Sequence, residues 1–404
     1  MSSEPILKGM RVVELSAFVA APLSGVTLCE LGAEVVRVEP PGGGIDIDRW
    51  PLHGARSLYR TGLDQGKRSV TIDMNTERGQ DLVTDLIAHA GVFLTNMPQR
   101  PWCTYERLMT RRPDLIMAVI TGDPAGGTAV DYTVNAAVGF PWITGPEGWD
   151  GPVNHVLPAW DLLAGYLSAT AIVAAELHRT KTGEGQLVNV SLMNVALSVA
   201  GHLGFIAEAQ LNEEPRGRFG NFIYGSYSRD FKTSDGRHVL VVALTARQWT
   251  SLVEAIGIRD EISKMERTRG VDLREEGPRF GARREISELI EPWVAARPYA
   301  EVARVFNSKG VLWSPYQNFK ELVQNDPRCS AANPLFSEIE SPGLGRTLRA
   351  GSPISFGRSG RNQVQASGAL GTDTANVLSS WLGLSEAQVT SLAADGVVAV
   401  GAPA

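Results

Sequence analysis

From Leu162 to Leu177 the chain runs through alanine, leucine, isoleucine, valine and small partners almost without interruption, with no proline and Gly165 as its one weak position. A surface helix would carry a polar stripe. The run therefore predicts a helix buried on most of its circumference, and it is short for a membrane span. His178, Arg179 and Lys181 suit a helix C-terminus, and Gly183 supplies the stop. Gln186–Leu192 then alternates polar and apolar residues like a strand.

Asp161 stands at the head of this helix, reached through a loop carrying His155 and Pro158. Aspartate is a common N-cap, because its oxygen accepts a bond from an early helical amide. The same amides would favour the anion and keep Asp161 ionised as a nucleophile. Residue type alone leaves both roles open.

Upstream, short apolar runs alternate with helical patterns. Arg11–Leu15, Glu34–Val38, Ser69–Ile72, Val92–Leu94 and Leu115–Ile120 read as strands. Ala20–Leu31, Glu77–Ala88 and Tyr105–Thr110 read as the helices between them. Such alternation predicts right-handed βαβ units in a doubly wound parallel sheet, with ligands at the C-terminal ends of strands. Three of those ends are polar, glycine-rich or basic: Arg37–Arg49, Asn96–Arg100 and Thr121–Gly127. After Leu211 the pattern changes to a loop rich in glycine, arginine and aromatics, then mixed strands and helices. Glu261–Gly281 is highly charged and reads as a solvated excursion. The expected division is a large domain beginning with residues 1–224, a smaller α+β domain over 225–311, and a return connection completing the large domain over 312–404.

With 404 residues, 43% apolar and 20% charged, the composition is that of an ordinary globular protein. A net charge of -6 argues against a nucleic-acid or anionic-membrane partner. Three scattered cysteines suit a reducing compartment, and the first ten residues lack the apolar core of a signal peptide, so a cytoplasmic location is expected. No G-x-G-x-x-G follows the first strand, no Walker A sequence and no G-x-S-x-G elbow is present, and the six histidines show no metal-ligand spacing. Neither a bound metal nor a permanent cofactor is expected. Arg37, Arg49, Lys67, Arg68 and Arg100 fall near strand ends and together favour a phosphorylated ligand.

Several stretches resemble the class III CoA-transferases: Leu7–Leu15, Leu31–Pro40, Gly66–Val70, Thr95-Asn96, Pro113–Ile116, Thr121-Gly122, and Asp161 with Gly165 through Gln186. The resemblance covers nearly the whole chain in order. It implies a Rossmann-like large domain, a smaller domain, and a homodimer of two subunits threaded as interlocked rings. It also implies that Asp161 is the nucleophile, carrying CoA as an aspartyl thioester, with coenzyme A entering as part of the substrate rather than as a resident cofactor. Carried over as CoA contacts are Val19, Ala20, Leu63, Lys67, Asn96, Met97 and Gly122; Arg100 joins them on charge alone. The racemase branch of the family places Gly-His-Asp where this chain has Ala129-Val130-Asp131, so proton shuttling is disfavoured. Ser16–Leu23, Asp131–Asn135, Val153–Asp161 and Gly220–Gly225 instead resemble a branch that moves CoA between the two carboxyls of one unsaturated C5 diacid. Arg49, Tyr132 and His155 are nominated to hold the idle carboxylate. The alternative is transfer between an acyl-CoA and a second dicarboxylate. Gly217–Gly225 is the nearest counterpart of the family's glycine-rich loop.

Overall fold

The valine-rich runs form strands because β-branched side chains pack well on a pleated surface buried on both faces. A computed structural model describes residues 4–341, 343–359 and 361–401. In chain order the first segments are β1 (Arg11–Leu15), α1 (Ala20–Glu30), β2 (Glu34–Glu39), a small hairpin of β3 (Leu52–His53) and β4 (Arg56–Ser57), and α2 (Leu58–Leu63). Then follow β5 (Arg68–Ile72), α3 (Glu77–Ala90), β6 (Val92–Thr95), α4 (Tyr105–Leu108), β7 (Ile116–Thr121), α5 (Asp131–Ala137) and α6 (Phe140–Ile143). The long apolar run lies in α7 (Ala159–Thr182), followed by β8 (Gln186–Ser191), α8 (Leu192–His202) and α9 (Phe205–Leu211).

The central sheet has the order β14–β5–β2–β1–β6–β7–β8, where β14 is Val398–Ala399 and alone runs antiparallel to its neighbour. The six parallel strands thus follow the doubly wound order of dinucleotide-binding folds, with the chain reversing direction between β1 and β6. That reversal opens a crevice at the strand C-termini. One face of the sheet is covered by α3 with α16 (Thr374–Leu382) and α17 (Glu386–Ala394), through Leu82, Leu86, Leu378, Trp381 and Leu392. On the other face α1 packs along α7, which also lies on β7 and β8. Gly165 is the reason those two helices come so close: a Cβ there would stand 2.8 Å from the Ala20 carbonyl oxygen and 3.1 Å from Leu23 Cβ. The weak spot in the apolar run is a packing requirement.

The helix α7 differs from its expectation in one respect. Ala164, Gly165, Ser168, Ala169, Ile172 and Ala175 form a buried stripe, but Leu163, Tyr166, Leu167 and Leu177 form an apolar stripe that is exposed on the single chain. It passes the length and composition test for a membrane span, yet its buried stripe belongs to a protein core.

The chain forms two units, one of residues 1–138, 156–208 and 327–404, the other of residues 139–155 and 209–326. The second is built on an antiparallel sheet of β9 (Tyr227–Lys232), β10 (His238–Ala243) and β11 (Leu312–Pro315). Its helices are α10 (Ala246–Ile256), α11 (Arg259–Arg269), α12 (Glu276–Gly281), α13 (Arg283–Ala295), α14 (Tyr299–Lys309) and α15 (Phe319–Asn325). The charged stretch expected as a solvated excursion is instead helical and anchored. Ile262 and Leu273 are buried in the core, and the fully buried Arg279 donates to the carbonyls of Leu273, Arg274 and Leu244. Its guanidinium satisfies loop carbonyls that would otherwise be orphaned. The remaining pair, β12 (Phe336–Ser341) and β13 (Gly345–Ala350), forms a separate hairpin in the first unit.

Candidate active site

A cavity of about 460 Å³ occupies the crevice where the sheet reverses. Its walls come from the ends of β1 (Leu15, Ser16, Ala17), β2 (Val38–Pro40) and β6 (Thr95, Met97–Arg100), with apolar surface from Phe93 and Trp102. Asn96 fixes its edge: its amide accepts from the Ala17 amide at 3.0 Å and donates to the Ala17 carbonyl at 2.7 Å. That exchange ties the loop after β1 to the loop after β6 across the reversal.

Immediately after Ala17, Phe18 adopts a left-handed backbone conformation with φ 63° and gives its amide to the Asp46 carboxylate at 2.9 and 3.2 Å. A non-glycine residue held there stores strain of order 1–3 kcal/mol, maintained by its surroundings. The strain presents the Phe18 ring to Arg49, whose guanidinium lies 4.8 Å from that ring centre and 5.0 Å from the ring of Tyr59. Arg49 makes no ion pair within 4.0 Å among the described residues, and stacking on the two rings holds its guanidinium.

The loop bearing Arg49 is fixed by a buried ionic network. Arg37 pairs with Asp64, with Asp46 at 3.2 Å and with Glu39 at 3.7 Å; Arg60 reaches Glu39 at 2.5 Å and Asp64 at 3.1 Å. Beside it Lys67 donates to Glu14 at 2.7 Å and to the Pro22 carbonyl at 2.8 Å, both charged groups being buried. Gly25 admits this pair, since a Cβ there would fall 1.8 Å from Glu14 Oε2. Burial raises the Glu14 carboxyl despite Lys67. Among the basic residues thought to favour a phosphate, Arg37 and Lys67 are thus engaged in internal pairs. Arg68, at the N-terminal end of β5, pairs with Glu34 at 2.5 Å. Arg100 remains exposed on the cavity wall.

Asp161 is half-buried in the first turn of α7, and it is not the N-cap. Pro158 occupies that position and offers no side-chain oxygen. The first amides are capped from outside: Asp131 Oδ2 accepts from Trp160 N at 2.7 Å and Asp161 N at 3.1 Å. The Asp161 carboxyl is therefore released from capping. Burial pushes it up to about 7, the Asp131 charge adds to that, and Arg49 opposes it. Helix amides do not hold it in the ordinary carboxylate range, contrary to the sequence expectation. Tyr59 is pushed up to about 12, chiefly by burial, with Arg49 opposing and Asp46, Asp161 and Tyr132 adding.

Asp161, Arg49 and Tyr132 are thus brought into one electrostatic neighbourhood, with Tyr132 exposed on the first turn of α5. Met97 and Arg100 line the cavity; Val19 and Ala20 are buried where α1 begins, and Leu63 ends α2. Lys67 and Gly122 lie outside the cavity lining. Gly122 allows Ala129 to approach, as its Cβ would stand 1.9 Å from the Ala129 oxygen, and its carbonyl accepts from Met193 N at 3.1 Å. His155 belongs to the second unit, and its Nδ1 is buried without a hydrogen-bond partner among the described residues. Residue types gave no signal for Phe18, Tyr59 or Asp46 as parts of the site; they meet only because the network folds their loop back onto β1.

A profile described as CoA-transferase family III matches residues 7–374. The chain is 49% identical over 400 residues to a 2-methylfumaryl-CoA isomerase of Chloroflexus aurantiacus, covering 98% of each protein. It is 29% identical to a succinyl-CoA:mesaconate CoA-transferase of Haloarcula hispanica, over 86% of this chain and 89% of that one. Among solved structures, a CaiB/BaiF family protein from Brucella suis superposes with a TM-score of 0.77 at 26% identity, covering 93% of this chain and 98% of that one. With its doubly wound sheet and the match along nearly its whole length, the chain belongs to CoA-transferase family III.

Proposed function

We propose that this enzyme is a 2-methylfumaryl-CoA isomerase, moving CoA between the C1 and C4 carboxyls of mesaconate (2-methylfumarate) through Asp161. The observation that carries the chemistry is the half-buried Asp161 carboxyl, free of any capping role, raised to about 7 and acted on by the charge of the stacked Arg49. The 49%-identical isomerase directs the choice of substrate. A desolvated carboxylate of raised basicity is a stronger nucleophile than one in water. It adds to the thioester carbonyl of the C1 thioester, expelling CoA thiolate and leaving a mixed anhydride. The thiolate then attacks the aspartyl carbonyl of that anhydride, giving an Asp161–CoA thioester and free mesaconate. After mesaconate turns, its C4 carboxylate attacks the aspartyl thioester, and the same two steps in reverse return Asp161 and the C4 thioester. Anhydride and thioester are comparably activated, so no ATP is consumed.

In this reading the cavity takes the nucleotide and pantetheine of CoA: apolar walls and Met97 suit the chain, and Arg100 suits a phosphate. Val19, Ala20, Leu63, Asn96 and Gly122 shape the loops around it, and Lys67 acts by holding Glu14 beneath α1. Arg49 and Tyr132 are proposed for the idle carboxylate, and His155 is proposed separately as a substrate-binding residue. Two copies are proposed to assemble as interlocked rings in the cytoplasm, supported by the exposed apolar stripe of α7.

The test is incubation with the C1 thioester of mesaconyl-CoA, with and without labelled free mesaconate, followed by mass-resolved chromatography. Conversion to the C4 thioester without label uptake is expected, and Asp161→Ala abolishes it. Label uptake would replace this reading with intermolecular transfer, the activity named for the Haloarcula relative.

A further inference from the structure

The first turn of α7 is held by α5 in a way the reaction scheme above does not use. Asp131, the first residue of α5, is almost fully buried. One of its oxygens takes the amides of Trp160 and Asp161. One helical turn on, Asn135 Oδ1 accepts from the Trp160 indole at 3.3 Å. Trp160 is thereby gripped at both its backbone and its ring, directly before the nucleophile. The other Asp131 oxygen, Oδ1, is buried with no hydrogen-bond partner among the described residues. An uncompensated buried carboxylate oxygen is costly, and a neutral residue could cap the helix without it. Asparagine is as good a cap as aspartate.

We propose that Asp131 is a positioning residue for the reaction, clamping the first turn of α7 through Trp160 and Asp161 and setting a second buried negative charge against the Asp161 carboxylate. The charges that act on Asp161 are Asp131 from α5 and Arg49 from the loop after β2; Tyr59 of α2 in turn feels Asp161, and Tyr132 of α5 acts on Tyr59. Among them Asp131 alone adds negative charge at neutral pH, and Arg49 alone offsets it. Removing the Asp131 charge leaves burial alone against Arg49, so the nucleophile binds its proton less tightly and becomes less basic.

The inference rests on Asp161 as the nucleophile, and its test separates the two. Asp131→Asn keeps an oxygen for the two amides and removes the charge. The midpoint of its rising kcat/KM–pH limb is expected to move acidward from about 7 by about half a unit or more, with KM for the CoA thioester within about twofold of the parent. A midpoint that does not move overturns the proposal, since a purely structural cap would survive this change. Asp131→Ala removes cap and charge together and is expected to lose about tenfold or more in kcat; a folded Ala variant with full kcat also overturns it. In parallel, the carboxyl infrared band that vanishes in Asp161→Asn is titrated in Asp131→Asn. Its acidward move upholds the coupling whatever the true acyl group, whereas turnover persisting in Asp161→Asn would sink the nucleophile and this inference together.

Discussion

A carboxyl group that titrates near neutrality in the folded chain and near 4 when unfolded leaves a mark on stability as well as on rate. Asp161 is raised, so the folded state binds its proton more tightly than the unfolded state does. Folding is then disfavoured progressively as pH rises from about 4 to about 7, and the full cost is present above that. Asp161→Asn cannot titrate and escapes this cost. We expect it to melt about 3 °C or more above the parent at pH 8, with a smaller difference at pH 5; differential scanning calorimetry at both pH values would show it. An equal change at the two would mean that the carboxyl is not raised. In the proposed mechanism the parent's activity needs the carboxylate and should rise through pH 7, opposite in direction to its stability. The site is least comfortable in the state in which it works.

At the scale of elements, the packing of α1 along α7 sets where Asp161 sits. In Gly165→Ala, better helix propensity would contribute about 1 kcal/mol. Against this, the new Cβ would meet backbone oxygen at 2.8 Å, and overpacking costs ~1–3 kcal/mol. The clash should win, because a carbonyl inside a helix cannot swing aside like a side-chain tip. Urea unfolding should show a net loss of about 1 kcal/mol, and KM for the CoA thioester should rise as Ala20 shifts; unchanged stability would show that the helices can part freely. The alternation of apolar runs was enough to read the parallel sheet and the position of Asp161 at the head of a long helix. What could not be read was the cap. Asp131 lies far from Asp161 along the chain, and Pro158 takes the position that an aspartate pattern suggests for Asp161. Likewise, Lys67 and Arg37 look like phosphate ligands when only charge and strand ends are visible. Their partners, Glu14, Asp64 and Asp46, are acids whose burial depends on tertiary folding.

For the molecule as a whole, the informative surface is the stripe of Leu163, Tyr166, Leu167 and Leu177, left open on a helix whose opposite side is core. Such a stripe on a single chain signals a partner, and a stable interface buries about 800 Å² on each side. In the proposed assembly threaded subunits cannot part without unfolding, so Leu167→Glu is expected to lower the melting temperature by about 3 °C or more rather than to release folded monomers, while the parent should sediment as a dimer; a parent that is itself monomeric would refute the assembly.

Arg49 has a consequence of its own. Two ring faces hold a flat cation without fixing its direction in the plane, so the guanidinium can swivel at little cost, where a carboxylate partner would lock it. In the proposed reaction a diacid exchanges its ends, and Arg49, as the proposed anchor of its idle carboxylate, would be such a bearing: a charge that stays attached while the molecule rotates beneath it. Arg49→Lys would keep the charge and lose the bearing, and it should lower kcat about tenfold while changing KM less. The protein would then still hold its substrate, but it would have lost the means to turn it round.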